Sequence, residues 1–150
     1  MQNKKEDYIV IISAVPFPYG NASDNAIYTF MDGFQEHGCK GEVVCLFPNM
    51  PKAHSGEPAI GEYKGVKYRF LHGKVSRSSN KLLSVIDNRI LSKYYIKKYL
   101  RNISSQYQVT AIFITHTDEF YADIFGYCRD LGVRVVLTTC EYPEYLAKDY

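Results

Sequence analysis

Hydrophobic residues occur along this chain in two kinds of segment, which predict buried strands and amphipathic helices in alternation. Four short segments are apolar at nearly every position and rich in Ile and Val. This composition is typical of strands that are buried on both faces of a parallel sheet. The four segments are Tyr8–Ala14, Glu42–Phe47, Val109–Thr115 and Val133–Thr139.

Three helical patterns separate or follow these strands. The first is predicted over Asp24–His37, with Ser23 or Asp24 as its N-cap and Gly38 as its stop. Its apolar stripe has the i, i+3, i+4, i+7 spacing of one helix face. The stripe consists of Ile27, Phe30, Met31 and Phe34. The other two helices are predicted over Lys81–Ile103 and Asp118–Leu131.

A short β-hairpin interrupts the alternation. Glu62–Phe70 is predicted to turn at Lys64 and Gly65. The order β-α-β, hairpin, α-β-α-β indicates an α/β fold, doubly wound, with a mainly parallel sheet. At 150 residues the chain has the length of a single domain, 1–150.

In such a sheet ligands bind beyond the carboxyl ends of the strands, so the loops there hold the candidate site residues. The loop after the first strand contains Gly20, Asn21 and Ala22 directly before a helix. Small residues at a helix N-terminus let backbone N–H groups approach an anion. A ligand site and a plain connecting turn are both open for this loop. It lacks GxGxxG and GxxxxGK[ST], so a dinucleotide or P-loop site is not predicted. Asp24 fits a polar contact to sugar hydroxyls.

Two further candidates follow later strands. His116 comes directly after Val109–Thr115, where its imidazole either contacts a substrate or lies in an ordinary surface loop. Glu141 follows the last strand and either orients a hydroxyl or begins a helix. The chain stops soon afterwards, which suggests a fragment of a longer protein.

Charge is concentrated in one segment. The net charge is +2, but Lys74–Arg101 holds eight basic residues and one acid, so this segment is +7 and the remainder −5. The segment is helical, as one helix or as two that break near Ser92. A solvated helix face and a contact with anionic lipid both fit it. Nucleic-acid binding is not predicted, because the rest of the chain is acidic.

Cysteine and histidine spacing gives no metal site. Cys39, Cys45, Cys128 and Cys140 form no CxxC pair, so reduced thiols and no metal are expected. No apolar run approaches the about 20 residues of a membrane span. The expected location is the cytoplasm, with peripheral binding at the inner face of the membrane if the basic segment meets lipid. No Gly-x-Ser-x-Gly motif is present, so a self-contained hydrolase is not expected.

The order of these motifs resembles the N-terminal domain of a family 4 retaining glycosyltransferase. The resemblance covers nearly the whole chain. It consists of the first strand, Pro16-x-Pro18-x-Gly20, the helix ending in Glu36-His37-Gly38, the hairpin with Tyr63-x-Gly65-Val66, the strand before His116, and Glu141-Tyr142-Pro143-Glu144. The pair Gly20-Asn21 stands where the family usually has Gly-Gly.

The resemblance implies the first, Rossmann-like half of a two-domain GT-B enzyme. Such an enzyme transfers a hexosyl unit from a nucleotide diphosphate sugar to a glycan, lipid or other hydroxyl acceptor with retention, as in polysaccharide biosynthesis. It implies no cofactor and no metal, and the nucleotide sugar is a co-substrate. Gly20, Asn21, Ala22 and Asp24 would line the donor-facing mouth, with Glu141 orienting the substrate that His116 contacts. The partner is the chain's own C-terminal donor domain, without which this domain is expected to be inactive. The alternatives are a non-enzymatic α/β module that binds a ligand or partner, or half of a nucleotide-sugar epimerase.

Overall fold

The protein is represented by a computed structural model that describes residues 5–19, 22–115 and 121–138. Within these ranges six strands form one sheet with helices on both faces. The strands are β1 (Asp7–Ser13), β2 (Lys40–Cys45), β3 (Ile60–Tyr63), β4 (Val66–Phe70), β5 (Gln108–Ile114) and β6 (Arg134–Leu137). The helices are α1 (Ala22–Glu36), α2 (Lys81–Ile86), α3 (Ser92–Gln106) and α4 (Ala122–Asp130). A π-helical turn, Asp87–Leu91, joins α2 to α3.

The sheet has the order β3-β4-β2-β1-β5-β6. All neighbours pair in parallel except β3 and β4, which form the antiparallel hairpin. Lys64 (φ 50°) and Gly65 (φ 79°) make its two-residue turn, with the positive φ values that such turns need. The predicted doubly wound α/β fold and its hairpin are confirmed.

Alternating side chains of the central strands fill two cores, one on each face of the sheet. On one face, Tyr8, Val10 and Ile12 of β1 pack with residues of α3 and α4. On the other face, Ile11 of β1 packs with Ile27 and Met31 of α1 and with the hairpin. The central strands β1 and β2 are buried at successive positions because side chains pack on both faces of the sheet there. The last strand, β6, was predicted to be buried on both faces but is an edge strand with Val136 and Leu137 exposed.

A buried carboxylate also joins α3 to the sheet. Glu42 of β2 is 4% exposed and accepts a hydrogen bond from the Tyr99 hydroxyl at 2.7 Å. The Arg69 Nε of β4 donates to the same carboxylate at 3.1 Å. Burial is the largest cause that raises the pKa of Tyr99, and Glu42 adds to it. The phenol therefore stays protonated and keeps donating to the carboxylate.

Several predicted boundaries differ from the structure. The N-cap prediction is wrong, because Ser23 and Asp24 lie inside α1, which begins at Ala22. The predicted helical segment Lys81–Ile103 is neither one regular helix nor two separate helices. The π-helical turn Asp87–Leu91 continues α2 directly into α3, which begins at Ser92. The predicted stop of α1 at Gly38 is confirmed by the φ of 76° at this residue and by the hydrogen bond that its N–H donates to the Gln35 carbonyl.

The described cysteines are free thiols. Cys45 and Cys128 are buried, as their apolar surroundings in the sequence predict, and Cys39 is half-buried. Cys140 lies outside the described residues. Across the three ranges that the structure covers, no helix has the length and hydropathy needed to cross a bilayer.

Candidate functional site

The strand order locates the crevice where a ligand would bind. From β1 the chain continues to β2 and β4 on one side of the sheet, and it later returns to β5 and β6 on the other side. The order therefore reverses between β1 and β5. In open α/β sheets ligands bind at such a switch point, beyond the carboxyl ends of the strands. Ser13 ends β1 and Thr115 follows β5, so these two residues border the crevice.

Most of the site residues predicted from sequence lie outside the described residues. These are Gly20, Asn21, His116 and Glu141, and their roles stay predictions. Ala22 begins α1, and Asp24 lies in its first turn with 9% exposure. A carboxylate there interacts favourably with the positive end of the helix dipole. Asp24 therefore lies at the start of the helix that follows β1, and its role in ligand binding stays a prediction.

The loop after β1 is fastened to its neighbours by a series of contacts. The Asn49 Nδ2 donates to the Ala14 carbonyl at 2.9 Å, and the Phe17 N–H donates to the Cys45 Sγ at 3.3 Å. The Phe17 ring is fully buried, 5.1 Å from the Tyr28 ring and 6.2 Å from the Tyr68 ring. Burial raises the pKa of the Cys45 thiol to about 12, so this sulfur acts as a packing group and not as a nucleophile.

Tyr19 of this loop forms an aromatic wall with two residues of other segments. We define the wall as Tyr19, His54 of the loop after β2, and Tyr63 of β3. The Tyr19 and His54 rings stack at 3.7 Å between centroids and 3° between planes. The Tyr63 ring lies 5.4 Å from the Tyr19 ring. The Tyr19 hydroxyl donates to the Glu57 Oε1 at 3.4 Å, and burial together with Glu57 raises the pKa of Tyr19. An aromatic face beside a carboxylate offers both an apolar surface and a hydrogen-bond acceptor to a polar ligand.

Tyr19 adopts a backbone conformation that is unusual for its residue type. Its φ is 77°, in the left-handed region where a side chain other than that of Gly, Asn or Asp costs about 1–3 kcal/mol. Strained residues of this kind cluster at functional sites. The aromatic wall is not evident from the sequence, because Tyr19, His54 and Tyr63 are far apart in the chain. The available signal was the Pro18-Tyr19-Gly20 turn at the end of a buried strand.

A cavity of about 540 Å³ lies beside the wall, between α1 and the hairpin. It is lined by Asn25, Tyr28, Thr29, Asp32, Gln35, Lys64 and Val66. The Lys64 ammonium lies 5.6 Å above the Tyr28 ring and 5.5 Å above the Tyr63 ring, so Tyr63 connects the wall to the cavity. This cavity is polar and lies along the hairpin edge of the sheet, away from the switch point.

A second polar cluster lies at the carboxyl ends of β2 and β4. The Ser92 hydroxyl lies 3.0 Å from the Leu46 carbonyl and 3.1 Å from the Asp87 carbonyl, and one of these takes its proton. The His72 Nε2 therefore donates to the Ser92 Oγ at 2.7 Å. The His72 Nδ1 lies 4.0 Å from the Asp87 carboxylate, which pairs with the Lys74 ammonium at 2.6 Å.

This arrangement of Ser, His and Asp is structural. Ser92 is fully buried and its proton is held by a backbone carbonyl, so its oxygen cannot attack a substrate. The cluster instead fastens the π-helical turn to the end of β2. Turns of this kind often accommodate a side-chain contact that a regular helix would not allow.

The burial of His72 gives a pH-dependent stability. Burial is the largest cause that lowers the pKa of His72, and the nearby Lys74 adds to it while Asp87 opposes it. As pH falls below about 6.5, the histidine of the unfolded chain takes up a proton before buried His72 does, so the free energy of unfolding decreases.

We expect the His72→Gln variant, which keeps an amide donor for Ser92, to show a smaller decrease in the free energy of unfolding between pH 7.5 and pH 5.5, measured by urea denaturation. The exposed His37 provides the control, since His37→Gln should keep the wild-type dependence. Equal pH dependence in all three proteins would show that His72 is not responsible.

Among the residues that the structure describes, no group of three His, Cys, Asp or Glu side chains could hold a metal ion. The loop after β1 and the start of α1 carry or contact the aromatic wall, Glu57 and Asp24. They are suited to binding and orienting a polar ligand.

Solved structures share this fold at low sequence identity. The C-terminal domain (residues 78–226) of the PF1911 hydrogenase from Pyrococcus furiosus aligns with a TM-score of 0.56 and 14% identity, over 90% of this chain and 92% of that chain. UGT2 of Phytolacca americana, complexed with UDP-2fluoro-glucose and pterostilbene, aligns with a TM-score of 0.57 and 18% identity, over 93% of this chain and 31% of that chain. Apo UGT2 aligns with a TM-score of 0.56 and 18% identity, over 89% of this chain and 29% of that chain.

These alignments show the Rossmann-like α/β fold. This chain spans less than a third of the length of UGT2. No family model and no curated protein matches the sequence.

Proposed function

We propose that this chain is the acceptor-side domain of a retaining hexosyltransferase that uses a nucleotide diphosphate sugar. The observation that carries the proposal is the aromatic wall, in which Tyr19 of the loop after β1 stacks on His54 beside Tyr63. The fold shared with UGT2, whose complex contains a UDP sugar and pterostilbene, supports it. The complete enzyme would add a donor-binding domain.

The described residues fit the binding of a hydroxyl-rich acceptor. A sugar ring presents C–H groups on its faces, which pack on the electron-rich face of an aromatic ring such as Tyr19. Glu57 and Asp24 would accept hydrogen bonds from hydroxyls. The loop before α1, with Gly20 and Asn21, would face the donor diphosphate, which a helix N-terminus favours.

His116 and Glu141 complete the proposed site by their positions in the sequence. His116 would contact the sugar or acceptor, and Glu141 would help to orient it. Transfer would proceed through a transition state of oxocarbenium character, with the departing diphosphate stabilised electrostatically. No metal and no cofactor is part of the proposal.

The test is a transfer assay on the complete protein. UDP- and GDP-hexoses would be offered with glycan, lipid and phenolic acceptors, and NMR would determine the anomeric configuration of the product. Transfer with retention is the expected result. Transfer with inversion would contradict the mechanism, and the absence of any transfer or donor hydrolysis by a folded, complete protein would contradict the enzymatic function.

Truncation of the aromatic wall should weaken acceptor binding. We expect Tyr19→Ala to raise KM for the acceptor about tenfold, equivalent to about 1.4 kcal/mol, which is the size of one aromatic contact. The matched variant Tyr19→Phe keeps the ring and should stay near the wild-type KM. Thermal melting would establish that both variants fold. A wild-type KM for Tyr19→Ala would exclude the wall from the acceptor site.

A binding module is the second candidate. The alignment with the Pyrococcus furiosus domain covers 92% of that chain, so the same fold also occurs as a unit of about this size. For a module, the 150-residue chain alone should bind its ligand as tightly as the complete protein does. For the transferase, donor binding should require the second domain. Calorimetric titration of both proteins with UDP and UDP-glucose would separate these outcomes.

A further inference from the structure

The segment from α2 to the start of α3 turns apolar side chains toward solvent. Five of them are more than half exposed. They are Leu82 (69%), Ile90 (63%), Tyr94 (59%), Val85 (53%) and Leu83 (52%). All five lie on α2, on the π-helical turn or in the first turn of α3. Contiguous exposed apolar surface of this kind usually marks an interaction site.

The buried side of the same segment is polar. Asp87 is 8% exposed and Ser92 is fully buried, and both belong to the cluster with His72 and Lys74. The segment therefore has the reverse of the usual arrangement, in which the apolar face of a helix packs inward. Turning the exposed apolar residues inward would break this hydrogen-bonded cluster. The cluster therefore keeps these side chains on the solvent side of the segment.

Basic side chains border this apolar surface. Lys81 and Arg89 are exposed on the same segment. In the described part of the chain no ion pair joins either of them. Lys74 and Lys93 are different, because Lys74 pairs with Asp87 and Lys93 pairs with Asp123, each at 2.6 Å. Of the eight basic residues in Lys74–Arg101, Lys74 and Lys93 are thus paired, while Lys81 and Arg89 face solvent beside apolar residues.

We propose that this docking face, formed by Leu82, Leu83, Val85, Ile90 and Tyr94 with Lys81 and Arg89, binds the surface of an anionic bilayer. Aliphatic side chains enter the boundary between headgroups and acyl chains, tyrosine favours that depth, and the cations contact anionic headgroups. A second copy of the chain is a poorer occupant. A twofold contact would place the cations of one docking face against those of the other. The proposal is independent of the proposed transferase function, since it rests only on α2, the π-helical turn and α3.

Vesicle co-sedimentation tests this inference. The probes are vesicles of phosphatidylcholine alone and vesicles of phosphatidylcholine with phosphatidylglycerol. We expect the protein to bind the anionic vesicles and to bind the neutral vesicles weakly. Its binding to the anionic vesicles should decrease as the salt concentration increases. The charge variant Lys81→Gln/Arg89→Gln should bind about 30-fold more weakly, since each cation near an anionic surface contributes about a factor of five. The apolar variant Leu82→Ser/Ile90→Ser should also lose binding.

Matched controls separate this surface from general effects. The variant Lys52→Gln/Lys67→Gln removes two exposed lysines elsewhere, and Ile60→Ser removes a side chain that is 59% exposed on β3. Both controls should bind as the wild-type protein does, and melting curves would establish that every variant is folded. Equal binding to neutral vesicles, or unchanged binding by the charge and apolar variants, would overturn the proposal. It would also be overturned if sedimentation equilibrium showed self-association that Leu82→Ser/Ile90→Ser abolishes while vesicles stay unbound.

Discussion

For the proposed transferase, replacing His116 with alanine should lower kcat for sugar transfer about 100- to 1,000-fold, the usual effect of removing a side chain that assists proton transfer or stabilises charge. The expectation rests on the position of the residue just before it. The Thr115 N–H donates to the Ile12 carbonyl of β1 at 3.2 Å, and its hydroxyl lies 3.4 Å from the same oxygen. His116 therefore follows a residue that is fixed at the switch point between β1 and β5.

The kinetic pattern distinguishes a role in catalysis from a role in folding. The His116→Ala variant should keep the wild-type melting temperature, and its kcat should fall more than its KM rises. His37 offers a matched control, because it is exposed at the end of α1 and its Nδ1 contacts only the Gly33 carbonyl among described atoms. His37→Ala should leave turnover unchanged. If His116→Ala also retained wild-type turnover, the assignment of this histidine would be wrong.

The second large effect is on stability, at a glycine in β2. A Cβ on Gly41 would lie 2.5 Å from the Ile9 carbonyl oxygen of β1 and 3.1 Å from the Met31 Cε of α1. The carbonyl belongs to the paired strand and cannot move away without disturbing the ladder. We expect Gly41→Ala to lower the free energy of unfolding by more than about 3 kcal/mol, measured by urea denaturation.

A second glycine provides a control of opposite sign. Gly33 lies inside α1, and a Cβ there would meet no atom within 4 Å. Gly33→Ala should raise the free energy of unfolding by about 0.5–1 kcal/mol, because alanine loses less backbone entropy in a helix. Destabilisation of similar size by both substitutions would mean that the close approach at Gly41 is not the cause.

The order of elements could be predicted from the sequence because burial on both faces leaves a strong signal. β1 and β2 are apolar at successive positions, and α1 carries its apolar residues at helical spacing. Ile27 and Met31 of that stripe are buried as predicted, whereas Phe30 is 36% exposed. The ends of elements were predicted less well. Ser23 and Asp24 are residue types that favour the N-cap position, so the sequence predicts that α1 starts there. The actual start, Ala22, is set by backbone hydrogen bonds, which the side-chain pattern does not specify.

The aromatic wall could not be predicted, because it depends on contacts between distant parts of the chain. Tyr19, His54 and Tyr63 meet only after β1, the loop after β2 and the hairpin have been placed side by side. The π-helical turn is a similar case. Ser92 was predicted as a point of irregularity, but the wider turn depends on the bonds that Ser92 makes to Leu46, on another strand, and to Asp87.

The sequence by itself determined the α/β alternation, the hairpin turn at Lys64-Gly65 and the concentration of positive charge between Lys74 and Arg101. These are local properties, set by the spacing of side chains and the conformational freedom of single residues. Only the tertiary structure decided which of those cations are paired and which border an exposed apolar surface. It also decided that Tyr19 stacks on His54 beside Tyr63 of the hairpin. Such features depend on three-dimensional proximity between segments, and spacing along the chain carries no record of that proximity.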